Sequence, residues 1–219
     1  MDHKETENVK VSDLWMELVR NRPLRILSFF FIIAYTTMSI SNAADSYFMT
    51  YNIGATPFMT TAFMWLGTIP AFIFLPLVPA IKKKIGKAGM FKMFLGISIV
   101  GMVLMYAVVS IPSLKSCFPL LCVVQFIKSV GVLVATGYMW ALVPEVVTFG
   151  EYTTGRRMAA IVGALICIFM KAGMALGGVV PGLVLAWVGF DGAAKIQTPL
   201  AEQGILWLVT LIPAVLFVL

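Results

Sequence analysis

Charge is what this sequence is shortest of. Only 12% of its 219 residues are Asp, Glu, Lys or Arg, about half the share of an ordinary soluble domain. So few ionic groups cannot cover a water-exposed globule of this size, which argues against soluble enzymes and soluble nucleic-acid binders. Histidine occurs once, at His3 in a polar leader, and cysteine three times, at Cys117, Cys122 and Cys167 in or beside apolar runs. An odd cysteine count without metal-ligand spacing indicates neither a disulfide framework nor a metal centre. Neither a His/Asp cluster nor a nucleophile with its base is visible, so no catalytic residue is nominated. The first twenty residues are polar and mixed in charge, unlike a signal peptide.

What is present is apolar length: 60% of the chain is drawn from AVILMFWYC, and the mean hydropathy is +0.96. A bilayer core about 30 Å thick needs about 20 mostly apolar helical residues. That ruler predicts six spans, 24–44, 57–80, 91–111, 118–142, 157–188 and 204–219. An open sheet leaves unsatisfied edges in lipid, and an outer-membrane barrel has shorter, alternating strands, so the fold class is all-α integral membrane. Residues 1–22 read as a leader whose Ser12–Asn21 stretch, with Leu14, Trp15 and Leu18, forms an interfacial helix. Residues 23–219 read as the six-helix bundle. Turns are predicted at Asn52–Pro57, Lys82–Gly89, Ile111–Pro119, Pro144–Gly155 and Gly189–Pro199.

The net charge of +6 comes from 16 Lys+Arg against 10 Asp+Glu, and its placement sets a topology. Lys4, Lys10, Arg20, Arg22, Arg25, Lys82, Lys83, Lys84, Lys87, Lys92, Arg156 and Arg157 fall on one side; Lys115 and Lys195 fall on the other. The positive-inside rule puts the first side, and the N-terminus, in the cytoplasm. Basicity thus reads as membrane orientation, with no nucleic-acid partner.

The remaining two lysines, Lys128 and Lys171, fall near mid-bilayer, where a charge costs at least about 2.5–3.5 kcal/mol and usually faces a cavity, partner or pathway. Asp45 is assigned to the outer end of the first span, and Glu145 and Glu151 to the inner side. Both lysines are therefore expected to lack a carboxylate at their depth. Snorkelling or a local contact, such as Lys128 with Gln125, is the plainer reading. Lys171 is followed by Gly173, Gly177, Gly178 and Gly182, whose spacing allows close helix approach. Tyr35, Asn42, Gln125, Tyr138 and Trp140 are further candidates for stacking on or hydrogen-bonding a sugar, or else for interfacial anchoring.

The segment Pro144-Glu145-Val-Val-Thr148-Phe149-Gly150-Glu151-Tyr152-x-x-Gly155-Arg156-Arg157 stands fourteen residues before Lys171-x-Gly173-x-Ala175-x-Gly177-Gly178. Together they resemble the glycoside–pentoside–hexuronide:cation symporters, the melibiose-permease-like branch of the major facilitator superfamily. Asn21-Arg22-Pro23-Leu24, Tyr47-Phe48-x-x-Tyr51-x-x-Gly54, Lys84-Ile85-Gly86-Lys87, Gln197, Gly204-Ile205 and Ile212-Pro213 extend the resemblance over nearly the whole chain. The likeness is to the C-terminal six helices of a twelve-helix family. It implies one half of a major-facilitator-type bundle, with Lys171 lining a central sugar cavity. It also implies a cytoplasmic gate containing Glu145, Glu151, Arg156 and Arg157. Thr148 stands where a second acid is common, and Ile166 and Cys167 stand where melibiose-type members carry polar residues, so melibiose is not the expected sugar.

The expected function is therefore the C-terminal half, truncated or split, of a secondary transporter moving a sugar or glycoside with Na⁺ or H⁺ by alternating access. No other cofactor is implied, and the main cation ligands are expected in an N-terminal half. The expected partners are that half or a second copy, the sugar, and the bilayer of a bacterial inner membrane. The alternative is a self-sufficient six-helix homodimeric carrier or channel.

Overall fold

The computed structural model describes residues 11–154, 158–194 and 196–218, all helix and turn. A short amphipathic helix, α1 (Val11–Arg20), leads into α2 (Arg22–Tyr47), which continues as a π-helical turn over Phe48–Ile53. After α3 (Pro57–Phe74) a tight turn at Leu75–Leu77 passes into α4 (Val78–Ser110). One helical turn, α5 (Pro112–Lys115), precedes α6 (Phe118–Thr154), α7 (Ala159–Trp187), α8 (Pro199–Val209) and α9 (Leu211–Val218). Among the described residues, five stretches are long and apolar enough to cross a membrane. One of them, Pro57–Ser110, has 54 residues, about 81 Å of helix and enough for two crossings. Gly86 interrupts it with φ 73 and ψ 174, a conformation open to glycine but strained for other residues.

The ends of these helices follow from local chemistry. Asn21 caps α2 by accepting from the Leu24 amide at 3.0 Å, with Pro23 in the first turn. Thr56 and Pro57 start α3, and Thr198 and Pro199 start α8, in the same way. At the end of α7, Gly189 adopts φ 71. Phe190 donates to the Leu185 carbonyl there and Gly189 to that of Ala186, the doubly bonded glycine termination of a helix.

Several predicted boundaries move. The Lys82–Gly89 turn contracts to the single break at Gly86, with the flanking lysines helical. The Pro144–Gly155 turn is absent as far as Thr154, because α6 runs straight through Pro144. The last helix begins at Pro199, five residues earlier than predicted, where the Thr198 cap and an ion pair of Glu202 with Lys115 (3.6 Å) accommodate the polar Glu202 and Gln203. Gly155, Arg156, Arg157 and Lys195 lie outside the described residues.

Packing pairs α2 with α7 and α4 with α6, while α3 also leans on α6. Small residues decide both principal contacts. A β-carbon on Gly173 or Gly177 of α7 would come within 2.6 Å of the Ile32 or Thr36 carbonyl of α2. Gly178 and Gly182 face no atom within 4 Å, so only the first of the two predicted small-residue pairs packs. On α6, Gly131 sits so close to α4 that a β-carbon would fall on the Phe94 carbonyl oxygen. Burial follows these contacts, with Ile40, Phe48, Phe63, Met105 and Ile205 filling one end of the bundle and Leu24, Phe31, Met139 and Ile166 the other. Leu14 and Leu18 of α1 join the second cluster, whereas Trp15 turns away and is exposed.

Candidate functional site

The most polar feature of the interior lies where α2, α3 and α6 meet. Lys128 is buried on α6, and its Nζ donates to Asp45 Oδ1 of α2 at 2.8 Å. Gln125, one turn before Lys128, donates from Nε2 to the other oxygen, Asp45 Oδ2, also at 2.8 Å. The expectation that Lys128 lacks a carboxylate at its depth is thus overturned. The first span does not end at residue 44: helical backbone persists through Ile53, so Asp45 sits eight residues inside the bundle. The chain direction reverses between α2 and α6, and Lys128, ten residues into α6, meets it at the same level. The expected local contact between Lys128 and Gln125 becomes a shared grip on one carboxylate.

The backbone beneath Lys128 is held from behind. Ser98 of α4 donates its hydroxyl to the Lys128 carbonyl at 2.7 Å, and a β-carbon on Gly101 would lie 2.5 Å from the Lys128 amide nitrogen. Such proximity leaves the lysine little freedom to move relative to α4. A buried ion pair gains little net stability against its desolvation cost, but removing one member strands the other charge at a cost of about 3–5 kcal/mol.

In front of the pair lies a cavity of about 340 Å³, walled by Ser41, Asn42 and Asp45 of α2, Thr68 of α3, and Gln125 and Lys128 of α6. Two buried polar atoms on this wall, Ser41 Oγ and Gln125 Oε1, have no hydrogen-bond partner. Buried polar groups are normally paired, so two unpaired oxygens on residues of this wall set it apart from the surrounding core. Of the residues predicted for a sugar site, Lys128, Gln125 and Asn42 converge here. Asn42 is exposed on this wall.

The others do not converge. Tyr35 and Trp140 form their own pair nearer the other end of α2, the indole Nε1 donating to the Tyr35 hydroxyl at 2.9 Å, with Phe31 edge-on to the indole at 5.1 Å. Tyr138 is buried against Phe91, with the Lys82 ammonium 5.4 Å from its ring centre. Lys171 is exposed on α7 and is not part of this wall. Ile166 is fully buried, while Cys167 is exposed.

The lysine-rich end holds the predicted gate. Glu145, just past Pro144, pairs with Lys87 and lies 3.8 Å from Lys82, so its partners come from the start of α4, on either side of Gly86. Arg156 and Arg157 are outside the described residues, and Glu151 is exposed near the end of α6. Thr148 donates its hydroxyl to the Pro144 carbonyl at 3.0 Å. A polar contact that sequence reading missed ties α1 to this end. Asn21, besides capping α2, donates to the buried Glu17 carboxylate at 2.9 Å and to the Val146 carbonyl at 3.2 Å. Gly150 leaves the room, since a β-carbon there would come 2.6 Å from Glu17 Oε1. The signal in the sequence was a carboxylate four residues before a cap asparagine, a spacing that places both on one face.

Comparison with known proteins follows the same lines. The profile of the family described as MFS/sugar transport protein matches residues 1–219. The uncharacterized symporter YnaJ of Bacillus subtilis (strain 168) is 41% identical over 216 residues, 99% of this chain and 45% of that protein. The glucuronide carrier protein homolog of Escherichia coli (strain K12) is 30% identical over 196 residues, 90% of this chain and 42% of its own length. The isoprimeverose transporter of Lactiplantibacillus pentosus is 28% identical over 174 residues, 79% of this chain and 35% of that protein. The chain thus spans less than half the length of these relatives, which are transporters rather than enzymes.

Proposed function

Because the chain belongs to the MFS/sugar transport protein family, in its glycoside–pentoside–hexuronide:cation symporter-like branch, we propose that it acts as one six-helix half of a secondary transporter. That transporter carries a sugar or glycoside together with Na⁺ or H⁺ across a bacterial inner membrane. The single observation that carries this reading is the 340 Å³ cavity with its buried Asp45–Lys128–Gln125 wall and unpaired Ser41 and Gln125 oxygens. Ionisable side chains inside a largely apolar membrane bundle are costly and characteristically line a substrate or ion path, which supports this reading. Relatives named for glucuronide and isoprimeverose support a sugar or glycoside as cargo.

The mechanism follows from a two-halves architecture, in which one six-helix unit rocks against another around a site near the bilayer midplane. The N-terminal half supplies the principal cation ligands, while this chain supplies the Asp45–Lys128 wall, and Lys171 faces the shared path. The N-terminus and the Lys82/Lys87–Glu145 contact stand on the cytoplasmic side, where basic residues accumulate. In the conformation described here this contact joins α6 to the first part of α4 and acts as a latch. By the family resemblance Glu151, Arg156 and Arg157 are assigned to the same gate, the two arginines lying outside the described residues.

Proteoliposomes test the reading directly. The chain co-reconstituted with an N-terminal six-helix half is expected to accumulate labelled glycoside when a Na⁺ or H⁺ gradient is imposed, and to stop when the gradient is dissipated. Cation-driven uptake of equal rate by the chain alone would overturn its role as a half. Absence of uptake in both preparations would remove the transport reading.

A further inference from the structure

We infer that the half of α2 remote from the lysine-rich end carries a second sugar-binding station, where Tyr47 stacks on a pyranose ring and Asn42 and Ser46 hydrogen-bond its hydroxyls. The inference rests on the sugar-transport reading above and adds a position to it, joined to the cavity through Asn42.

The first observation is what α2 leaves exposed. Near its start the exposed apolar positions are Ile26, Phe29 and Phe30, and the exposed faces of α3 (Phe58, Trp65, Phe72) and α7 (Val179, Leu183) are apolar too. Beyond residue 41 the exposed positions of α2 are instead Asn42, Ser46, Tyr47 and, in the π-helical turn, Thr50. Asn42 and Ser46 are four residues apart and share a face. Amide and hydroxyl groups are costly against hydrocarbon, so exposed polar side chains on a span mark a water-filled path rather than a lipid face. Thr50 satisfies its hydroxyl locally, on the Ser46 carbonyl at 3.0 Å, whereas Asn42 already walls the 340 Å³ cavity. The stripe therefore leads out of the cavity, with Ser46 about 6 Å further along the helix.

The second observation is the aromatic assembly beside that stripe. Tyr47 stacks with Tyr51, ring centres 6.3 Å apart and planes 17° from parallel. Phe190, just past the end of α7, stands nearly perpendicular to both, at 5.5 and 5.0 Å. The mounts of these rings are fixed. Asn52 ties the π-helical turn that carries Tyr51 to α8, donating to the Glu202 carbonyl at 2.9 Å, and the Phe190 amide is held by the Leu185 carbonyl. Even so braced, Tyr47 is 37% exposed. A tyrosine of a membrane-interface belt faces lipid among apolar neighbours, whereas the exposed neighbours of Tyr47 on its own helix are Ser46 and Thr50. A rigid aromatic ring beside an amide and a hydroxyl suits a guest with an apolar face and a polar edge. A pyranose is such a guest: its face covers the ring, and its edge hydroxyls meet groups that both donate and accept.

Uptake by the chain co-reconstituted with an N-terminal half reads the ring. Tyr47→Leu is expected to raise KM for the accumulated glycoside at least about fivefold with kcat within about twofold, the mark of a lost binding contact, while Tyr47→Phe keeps KM within about twofold of wild type. An unchanged KM in Tyr47→Leu, or an equal rise in Tyr47→Phe, would overturn the stacking role. Thiol labelling of the same preparation reads the station without transport, and carries the test should Tyr47→Leu fail to fold by size-exclusion profile. With Cys117, Cys122 and Cys167 replaced by serine, Ser46→Cys is expected to react with a membrane-impermeant methanethiosulfonate. At least one of methyl glucoside, methyl galactoside, methyl xyloside and methyl glucuronide is expected to slow that reaction at least about threefold. No reaction would put Ser46 against lipid or another helix, and reaction that none of the four sugars slows would leave the stripe without a sugar. Either result overturns the station, and with glycoside uptake intact it leaves the transport reading standing. No uptake by wild type together with no protection removes both.

Discussion

Asp45 and Lys128 are separated by 83 residues in sequence and by 2.8 Å in space, both buried in a mostly apolar bundle. Their energetic weight is asymmetric. D45N or K128M alone is expected to lower stability by about 3–5 kcal/mol, and D45N/K128M by clearly less than the sum, because each single change strands a charge and the double change strands none. Thermal or denaturant unfolding of the four proteins in one detergent checks this, and additive losses would mean that the two charges do not interact. Lys128 was legible in the sequence as an anomaly, since a mid-span lysine stands out on hydropathy alone. Its partner was not, because Asn42, Asp45 and Ser46 depress local hydropathy and a span ruler stops there. Backbone hydrogen bonding carries the helix on to Ile53 regardless of that dip.

At the scale of elements, glycines mark which helices touch. Gly131→Ala would drive a methyl into the Phe94 carbonyl and is expected to cost at least about 1–3 kcal/mol. Gly178→Ala meets open space and is expected to change stability by under about 0.5 kcal/mol, or to raise it slightly through helix propensity. Unfolding midpoints of the two variants separate these outcomes, and equal losses would contradict the packing described here. The sequence pattern showed four small residues near Lys171 without showing which pair meets α2, because GxxxG spacing fixes a face of a helix but not what lies opposite. Turn positions were far more legible. Gly54, Gly86 and Gly189 all have positive φ and fall within or beside three predicted breaks. Pro144 misled for the opposite reason. Proline disfavours helix in water, but inside a bundle α6 continues through it, with Val146 and Val147 packed against the Leu24 and Met139 cluster.

For the molecule as a whole, its two ends carry different ionic chemistry. One has Glu145 with Lys82 and Lys87, the other Glu202 with Lys115. Glu145 is half exposed (45%), and exposed pairs contribute about 0–1 kcal/mol and weaken in salt. Glu145→Gln is therefore expected to leave the unfolding midpoint nearly unchanged while altering the rate of glycoside uptake, an effect that fades as ionic strength rises. A large fall in stability would instead make Glu145 a structural residue. The class of fold and the division of basic residues between two faces needed only composition and spacing. Partner choice across the bundle needed coordinates, since the carboxylate answering the Lys82–Lys87 stretch lies about sixty residues downstream.

Pro144 has one more consequence, a mechanical one. Lacking an N–H, it leaves the Trp140 carbonyl without its usual intrahelical donor. The stiffness of α6 therefore drops between Lys128 and Glu145, and bending strain imposed on either end concentrates there. Along its 37 residues, α6 is continuous as a hydrogen-bonded helix but behaves as two rods joined by a compliant coupling. The rod before Pro144 is clamped to α4 at Gly131 and Lys128, and the one after it carries Glu145 and the α1 contact. Amide exchange along α6 should accordingly divide into a slow segment before residue 140 and a faster one after it.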